Sequence, residues 1–266
     1  MGEMHTMHRE LAVIAAVVFC GFSPLLGAPA PGEPQTIMFG EHRIEWKGAE
    51  IKGGGGKDVA VTLKTSRGVN AGRYHPASPA APRTNAGVIW LSGSGGGVDG
   101  PARGLFAEAS ERLQQQGIAS LRLDYRKPAD LPESVLDALC GVAFFAQEGI
   151  SRVAVVGQSF GSAVAICTGA SSPRVRTVAS LSSQTSGSVQ MAPYLAPRSL
   201  LIVHGMRDKI LSPSNAREIY AAAREPKEVR FFPDAGHNLL IARAGVLELL
   251  LQWIPRELRR PVPRPS

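Results

Sequence analysis

From residue 87 onward the chain alternates short, predominantly apolar runs with segments of helical period. Residues 87–91, 119–125, 153–156, 175–182, 200–204 and 229–232 read as strands, and residues 103–116, 132–147, 161–169, 213–224 and 240–253 as helices. Most of these strand runs lack a polar–apolar alternation, so both of their faces must be covered. Buried strands in a strand–helix–strand rhythm predict an α/β architecture, a mostly parallel central sheet with helices on both faces. Upstream, residues 37–46 and 59–65 alternate well enough to predict two more strands, with Gly53–Gly56 as a flexible turn between them and a Pro/Ala-rich loop over 75–86. No internal repeat interrupts the pattern.

The 266 residues fit one such domain, and 44% hydrophobic against 19% charged residues excludes a disordered chain. The formal net charge is +7, which raises the question of nucleic acid. The basic residues are scattered, aromatics are 6%, and the one cluster (Arg256, Arg259, Arg260, Arg264) sits in a Pro-rich tail, so no nucleic-acid partner is expected. Arg9, the apolar run 11–22 and the small residues Gly27, Ala28 and Ala30 have the layout of an export signal, with the mature chain starting near residues 29–31 and the protein periplasmic or secreted. The run is short for a membrane span, so no stable span is expected after cleavage; an uncleaved signal would leave the protein membrane-anchored. The expected layout is a signal over 1–30, an N-terminal extension and first strand over 31–58, a catalytic domain over 59–255 and a basic tail over 256–266. Export would permit a disulfide between Cys140 and Cys167, although both fall in expected helices, where buried free thiols are common. No C-x-x-C and no paired-His metal spacing occurs, so neither metal nor cofactor is expected.

Gly157-Gln158-Ser159-Phe160-Gly161 matches G-x-S-x-G between an expected strand and an expected helix. A turn this tight brings the positions two before and two after the serine against each other, which requires glycine at both. It pushes the hydroxyl out above the sheet and places it at a helix N-terminus, where N–H groups favour developing negative charge. A serine hydroxyl needs a base, and the base needs a carboxylate to hold it. Asp208 lies just past the strand 200–204 and His237 just past the strand 229–232, in the order serine, acid, histidine. All three then sit at the carboxyl edge of the sheet, where ligand chemistry gathers in open α/β sheets. Asp234 is a rival acid, only three residues from His237 and better suited to the turn. Among the six histidines His237 alone fits the base position; His204, at the end of a buried strand, reads as a packed or hydrogen-bonded core residue.

Ser92-Gly93-Ser94-Gly95-Gly96-Gly97 follows the strand 87–91. Read with Ser159, it is an oxyanion loop, its donor at Ser94 complementing the N–H of Phe160. Read alone, Gly95-x-Gly97-x-x-Gly100 matches a dinucleotide fingerprint, with Asp124 ending the next strand as the ribose carboxylate. That would make the chain an oxidoreductase, but it leaves Ser159, Asp208 and His237 without a role and sets Pro101 directly after the third glycine.

Together these segments, with His204-Gly-Met-Arg-Asp and Ala235-Gly-His-Asn, resemble the α/β-hydrolase superfamily over roughly residues 59–254, closest to small dienelactone-hydrolase-like and peptidase-like members. The resemblance implies an α/β-hydrolase fold and a serine hydrolase acting on a small-molecule acyl substrate, by an acyl-enzyme on Ser159. Two departures stand out: family loops often carry His-Gly where this chain has Ser92-Gly93, and true dienelactone hydrolases have cysteine where this chain has Ser159, so their substrate is not carried over. Family members often insert a lid after the sixth strand; the span 184–199 here is too short for a large one. It leaves Met191, Tyr194 and Leu195, with Gln158, as expected substrate contacts, or alternatively as packing of a surface loop. Carboxylic-ester hydrolysis is the leading expectation. A peptidase, thioesterase or acyltransferase would use the same residues, and a non-catalytic binding member of the fold is the alternative of a different class.

Overall fold

A computed structural model describes residues 35–53 and 58–261 of the chain. The expected signal over 1–30 lies outside the described residues. Ten strands form one sheet: β1 (Gln35–Phe39), β2 (His42–Lys52), β3 (Val59–Thr65), β4 (Gly68–His75), β5 (Ala86–Leu91), β6 (Ile118–Leu123), β7 (Arg152–Gln158), β8 (Val175–Leu181), β9 (Ser199–Gly205) and β10 (Lys227–Phe232). Their order is β1-β2-β3-β4-β6-β5-β7-β8-β9-β10. Strands β5 to β10 pair in parallel, while β1 to β4 run as an antiparallel meander that joins through β4 against β6.

Every residue of β5, β6 and β9 is buried, as non-alternating apolar strands require. One face carries α2 (Leu131–Gln147), α3 (Phe160–Ser171), the single turn α4 (Ser188–Met191) and α5 (Pro213–Ala222); the other carries α1 (Pro101–Gln114) and α6 (Arg243–Arg259). Phe144, Phe145 and Val164 lie in the first core, and Trp90, Phe106 and Leu250 in the second. Cys140 on α2 and Cys167 on α3 are free thiols, each buried and pushed up by that burial to a pKa of about 12. Among the described residues no helix is long and apolar enough to cross a membrane.

Strand β5 has β6 on one side and β7 on the other, so the chain reverses its winding direction there. The loops leaving β5 and β7 diverge at such a point and open a crevice at the carboxyl ends of the strands. The registers Leu91↔Gly157, Gln158↔Leu181 and Gly205↔Phe232 bring the ends of β5, β7, β8, β9 and β10 to that one edge.

The structure differs from the sequence reading in places. Residues 37–46 form a hairpin, β1 and β2, rather than one strand. Strand β4 was expected to be loop in part and otherwise unassigned. Its two glycines and an asparagine are poor strand formers, yet Gly72 lets the Arg122 backbone approach, a Cβ there standing 2.9 Å from the Arg122 carbonyl oxygen. The first helix opens on a left-handed turn, with φ of 52°, 56° and 86° at Ala102, Arg103 and Gly104. The last helix runs through Pro255 to Arg259 because Glu257 and Leu258 pack into the body, so the tail begins later than residue 256.

Candidate active site

Ser159 ends the tight turn between β7 and α3 with φ 57° and ψ −120°. A side chain other than glycine held there stores strain of about 1–3 kcal/mol, which only firm surroundings maintain. Those surroundings are visible. A Cβ at Gly157 would overlap Gly161 O and come within 2.6 Å of Ser162 N; one at Gly161 would overlap Leu91 O and Ser92 O. Ser162 Oγ donates to Gly157 O at 2.7 Å and accepts from Leu181 N at 2.9 Å, and Ser159 N donates to Leu181 O at 2.8 Å. The strained turn is thus fixed to both neighbouring strands.

The three separated residues meet. His237 Nε2 lies 3.0 Å from Ser159 Oγ, and His237 Nδ1 lies 2.8 Å from Asp208 Oδ2. Asp208 Oδ1 accepts the N–H groups of Ile210 and Leu211, each at 2.9 Å. The Asp208 side chain is fully buried and that of His237 is 16% exposed, so the chain of hydrogen bonds runs from the interior to solvent. Asp234 instead pairs with Arg207 at 2.8 Å, both largely exposed, and faces away from this role. Met206 N to Phe232 O and Arg207 N to Ala235 O, both 2.9 Å, bind the two loops to each other.

Burial alone would raise the Asp208 pKa, but the N–H of Leu211, His237 and the N–H of Ile210 outweigh it and hold the carboxyl below its ordinary 3.8. A group depressed on folding adds stability above its unfolded pKa and loses it as pH falls through the folded value. The melting-temperature gap between wild type and Asp208→Asn is therefore expected to be full near neutral pH and to narrow once pH falls below 3.8. A gap constant down to pH 2, in a series of thermal melts, would contradict this assignment of the carboxylate.

The glycine loop after β5 is fastened by three residues near the end of β6. Tyr125 Oη donates to Ser92 O at 2.9 Å. Asp124 Oδ1 accepts Gly97 N at 2.7 Å and Tyr125 N at 2.8 Å, and a Cβ at Gly96 would stand 2.5 Å from the same oxygen. Buried Arg122 reaches Val98 O at 3.3 Å and Asp99 Oδ1 at 3.2 Å, with Asp58 Oδ2 at 2.8 Å behind it. Asp124 is therefore occupied by its own loop rather than free for a ribose, and the left-handed turn at 102–104 keeps Gly100 from leading straight into a helix. Both features depart from the dinucleotide fingerprint. Gly93 lies against the elbow, where a Cβ would stand 3.6 Å from Ser159 Cβ. Ser94 is exposed at the corner of the turn closed by Gly96 N to Gly93 O, 3.0 Å, and buried Phe160 packs edge-on against Tyr125 with ring centroids 5.7 Å apart. Tyr125→Phe leaves the Ser92 carbonyl without its donor, so a loss of about 1–3 kcal/mol is expected in chemical denaturation. An unchanged midpoint and slope would rule the anchor out.

The expected substrate contacts divide. Gln158 is at the site: its Nε2 is 3.4 Å from His237 Nε2, and a Cβ at Gly93 would stand 3.2 Å from its Oε1. Met191 and Leu195, each 1% exposed, are core residues, and half-buried Tyr194 packs against the same core. A Cβ at Gly169 would meet Leu195 Cδ2 at 2.8 Å, and Gly169 is ten residues along α3 from Ser159, about 15 Å at helical rise. The expectation for Met191 and Leu195 is thus corrected: both are buried in the core on the α3 side of the sheet, and Tyr194 packs partly against the same core. The sequence reading missed Met206, Ile210 and Ile241, large apolar side chains left exposed on the loops that carry Asp208 and His237. A depression of about 510 Å³ lined by Lys227, Trp253 and Arg260 lies at the opposite end of β10 and plays no part in this geometry. Among the described residues no group of three or more His, Cys, Asp or Glu is placed to hold a metal ion.

No family model matches the chain, and no curated protein matches it in sequence. Solved structures do match. An esterase domain of a Rhodothermus marinus protein is similar at TM-score 0.62 and 20% identity, covering 79% of this chain and 99% of that one. A dienelactone hydrolase from Anabaena variabilis is similar at TM-score 0.66 and 19% identity, covering 76% and 98%. A serine α/β-hydrolase without a lid from Xanthomonas campestris is similar at TM-score 0.57 and 16% identity, covering 76% and 97%. The chain has the α/β-hydrolase fold.

Proposed function

We propose that the protein hydrolyses carboxylic esters of small molecules through an acyl-enzyme on Ser159. The observation that carries this reading is the unbroken hydrogen-bonded run Ser159–His237–Asp208 at the carboxyl edge of the sheet. His237 takes the hydroxyl proton as Ser159 Oγ attacks the carbonyl carbon, and Asp208 orients the imidazole and offsets its charge. The oxyanion is held by the N–H of Phe160 and by that of Ser94, each donor worth roughly 3–4 kcal/mol in the transition state. His237 then returns the proton to the departing alkoxide. Water, activated by the same imidazole, releases the acid and restores the serine. No step calls on a cofactor.

Segment 184–197 folds into α4 and a 3₁₀ turn against α3, so among the described residues this segment forms no large lid over Ser159. The similar structures described as an esterase domain and a dienelactone hydrolase favour ester over amide cleavage. The test is a panel of esters, thioesters and aminoacyl amides turned over by wild type and by Ser159→Ala. Ester hydrolysis lost in the variant is expected. Preferential turnover of amides or thioesters would move the reading to a peptidase or thioesterase, and no turnover with no covalent labelling would make the chain a binding member of the fold. Export belongs to the same proposal, read from residues 9–30. Expression with the full N-terminus is expected to give a mature chain beginning near residues 29–31 by N-terminal sequencing.

A further inference from the structure

His204, near the carboxyl end of β9, is fully buried with its side chain turned toward Asp208. Its Nε2 lies 3.1 Å from Asp208 Oδ2 and 3.0 Å from Leu211 O. Its Nδ1 is buried with no partner. An imidazole whose Nε2 faces two oxygens while its Nδ1 faces none carries its proton on Nε2. That N–H then donates to the Leu211 carbonyl, with the Asp208 carboxylate beside it. Burial lowers the His204 pKa, which keeps the ring in this neutral form.

The carboxylate is consequently engaged on every side. Oδ1 accepts from Ile210 and Leu211, Oδ2 accepts from His237, and His204 Nε2 stands 3.1 Å from Oδ2 on the other side. Leu211 takes part twice, donating its N–H to Oδ1 and accepting His204 on its carbonyl. Three donors and the adjacent imidazole leave the carboxylate little room to turn. Packing alone does not explain an imidazole here. The preceding β9 residues Leu200, Leu201, Ile202 and Val203 are all aliphatic and buried, and an aliphatic side chain would bury no orphan nitrogen.

We infer that His204 is a positioning residue for the reaction: its Nε2–H, bonded to the Leu211 carbonyl and standing beside Asp208 Oδ2, holds Leu211 and the Asp208 carboxylate in place and so fixes the aim of His237 at Ser159. The inference rests on the acyl-transfer reading of the site and goes beyond it, since His204 touches neither substrate nor the reacting hydroxyl. A carboxylate free to turn would let the imidazole drift, and misplacement of the order of 1 Å is able to cost about a hundredfold in rate. The effect falls on kcat rather than KM, because the contact acts on the chemical step and not on substrate binding.

The experiment measures kcat and KM for an ester substrate, with thermal melts, on wild type, Ser159→Ala, His204→Leu, His204→Gln and His204→Asn. Glutamine places an amide N–H near the Nε2 position. Asparagine reaches only as far as Nδ1, which faces no partner. His204→Leu is expected to lose roughly tenfold to a hundredfold in kcat with KM within about twofold. His204→Gln is expected to recover most of that loss, and His204→Asn is not. If the leucine variant fails to fold, the glutamine–asparagine comparison decides alone. Wild-type kcat in a folded His204→Leu, or equal impairment of the glutamine and asparagine variants, overturns the inference. Wild type showing no turnover that Ser159→Ala removes is a separate result. It overturns the acyl-transfer reading itself, and the positioning role with it.

Discussion

Ser159→Ala is expected to lower kcat for ester hydrolysis by about a millionfold, leaving only the residual catalysis that binding and the oxyanion donors supply. The size follows from how the three side chains act. In the proposed mechanism the hydroxyl is the nucleophile, the imidazole is useful only while it has that proton to take, and the carboxylate acts only through the imidazole. Removing one member makes the next redundant. The double variant Ser159→Ala/His237→Ala should therefore be no slower than Ser159→Ala, whereas independent contributions would multiply. Asp208→Asn keeps the shape but offers an amide where His237 Nδ1 needs an acceptor, and a loss of about 10⁴ is expected. Steady-state kinetics at saturating ester, with melting curves to establish that each variant folds, provides the measurement. A Ser159→Ala enzyme within tenfold of wild type would place the chemistry elsewhere.

Gly161→Ala is expected to abolish the folded protein at ordinary temperatures. The added Cβ would stand 2.8 Å from Leu91 C and overlap the carbonyl oxygens of Leu91 and Ser92. Those atoms belong to the end of β5 and the start of the glycine loop, the centre of the sheet, where no side chain is able to swing aside. Overpacking a well-filled core commonly costs about 1–3 kcal/mol, and a clash with immovable backbone exceeds it. Domains are held by only about 5–15 kcal/mol in total, so such a loss takes most or all of the margin. Gly157→Ala meets Gly161 in the same manner. Gly95→Ala provides the control, because a Cβ there meets nothing within 4 Å and the residue sits in the same loop system. Denaturant titrations should show Gly95→Ala near wild type, with Gly161→Ala insoluble or shifted by several kcal/mol. A Gly161→Ala protein as stable as Gly95→Ala would mean that the elbow is less closely packed than described.

Much of this was legible before any coordinates. Parallel strands covered on both faces are predominantly apolar, so β5, β7, β8 and β9 declare themselves. Ser159, Asp208 and His237 read together because each lies just past a strand end, and the structure brings them within hydrogen-bonding distance. What escaped depends on contacts between distant segments. Arg122, Asp124 and Tyr125 read as strand residues or a ribose carboxylate; their hold on Ser92, Gly97 and Val98 exists only because β6 lies beside β5. Strand β4 escaped because its glycines and asparagine suit a turn when read locally, while its pairing with β3 and β6 overrides that preference. Met191 and Leu195 carried an apolar signal that fits a substrate wall and a core equally, and the uncovered end of α3 claimed them. His204 reads as a hydrogen-bonded core residue and bonds the Leu211 carbonyl, but that it also lies against Asp208 is visible only in the fold.

The central claim is that Ser159 is an activated nucleophile. Incubating the protein with a fluorophosphonate and mapping the adduct by peptide mass spectrometry tests this most directly. The account predicts one phosphonylated residue, Ser159, with labelling lost in Ser159→Ala and strongly slowed in His237→Ala. A folded wild-type protein that stays unlabelled at Ser159, or that carries the adduct on another serine, would contradict it.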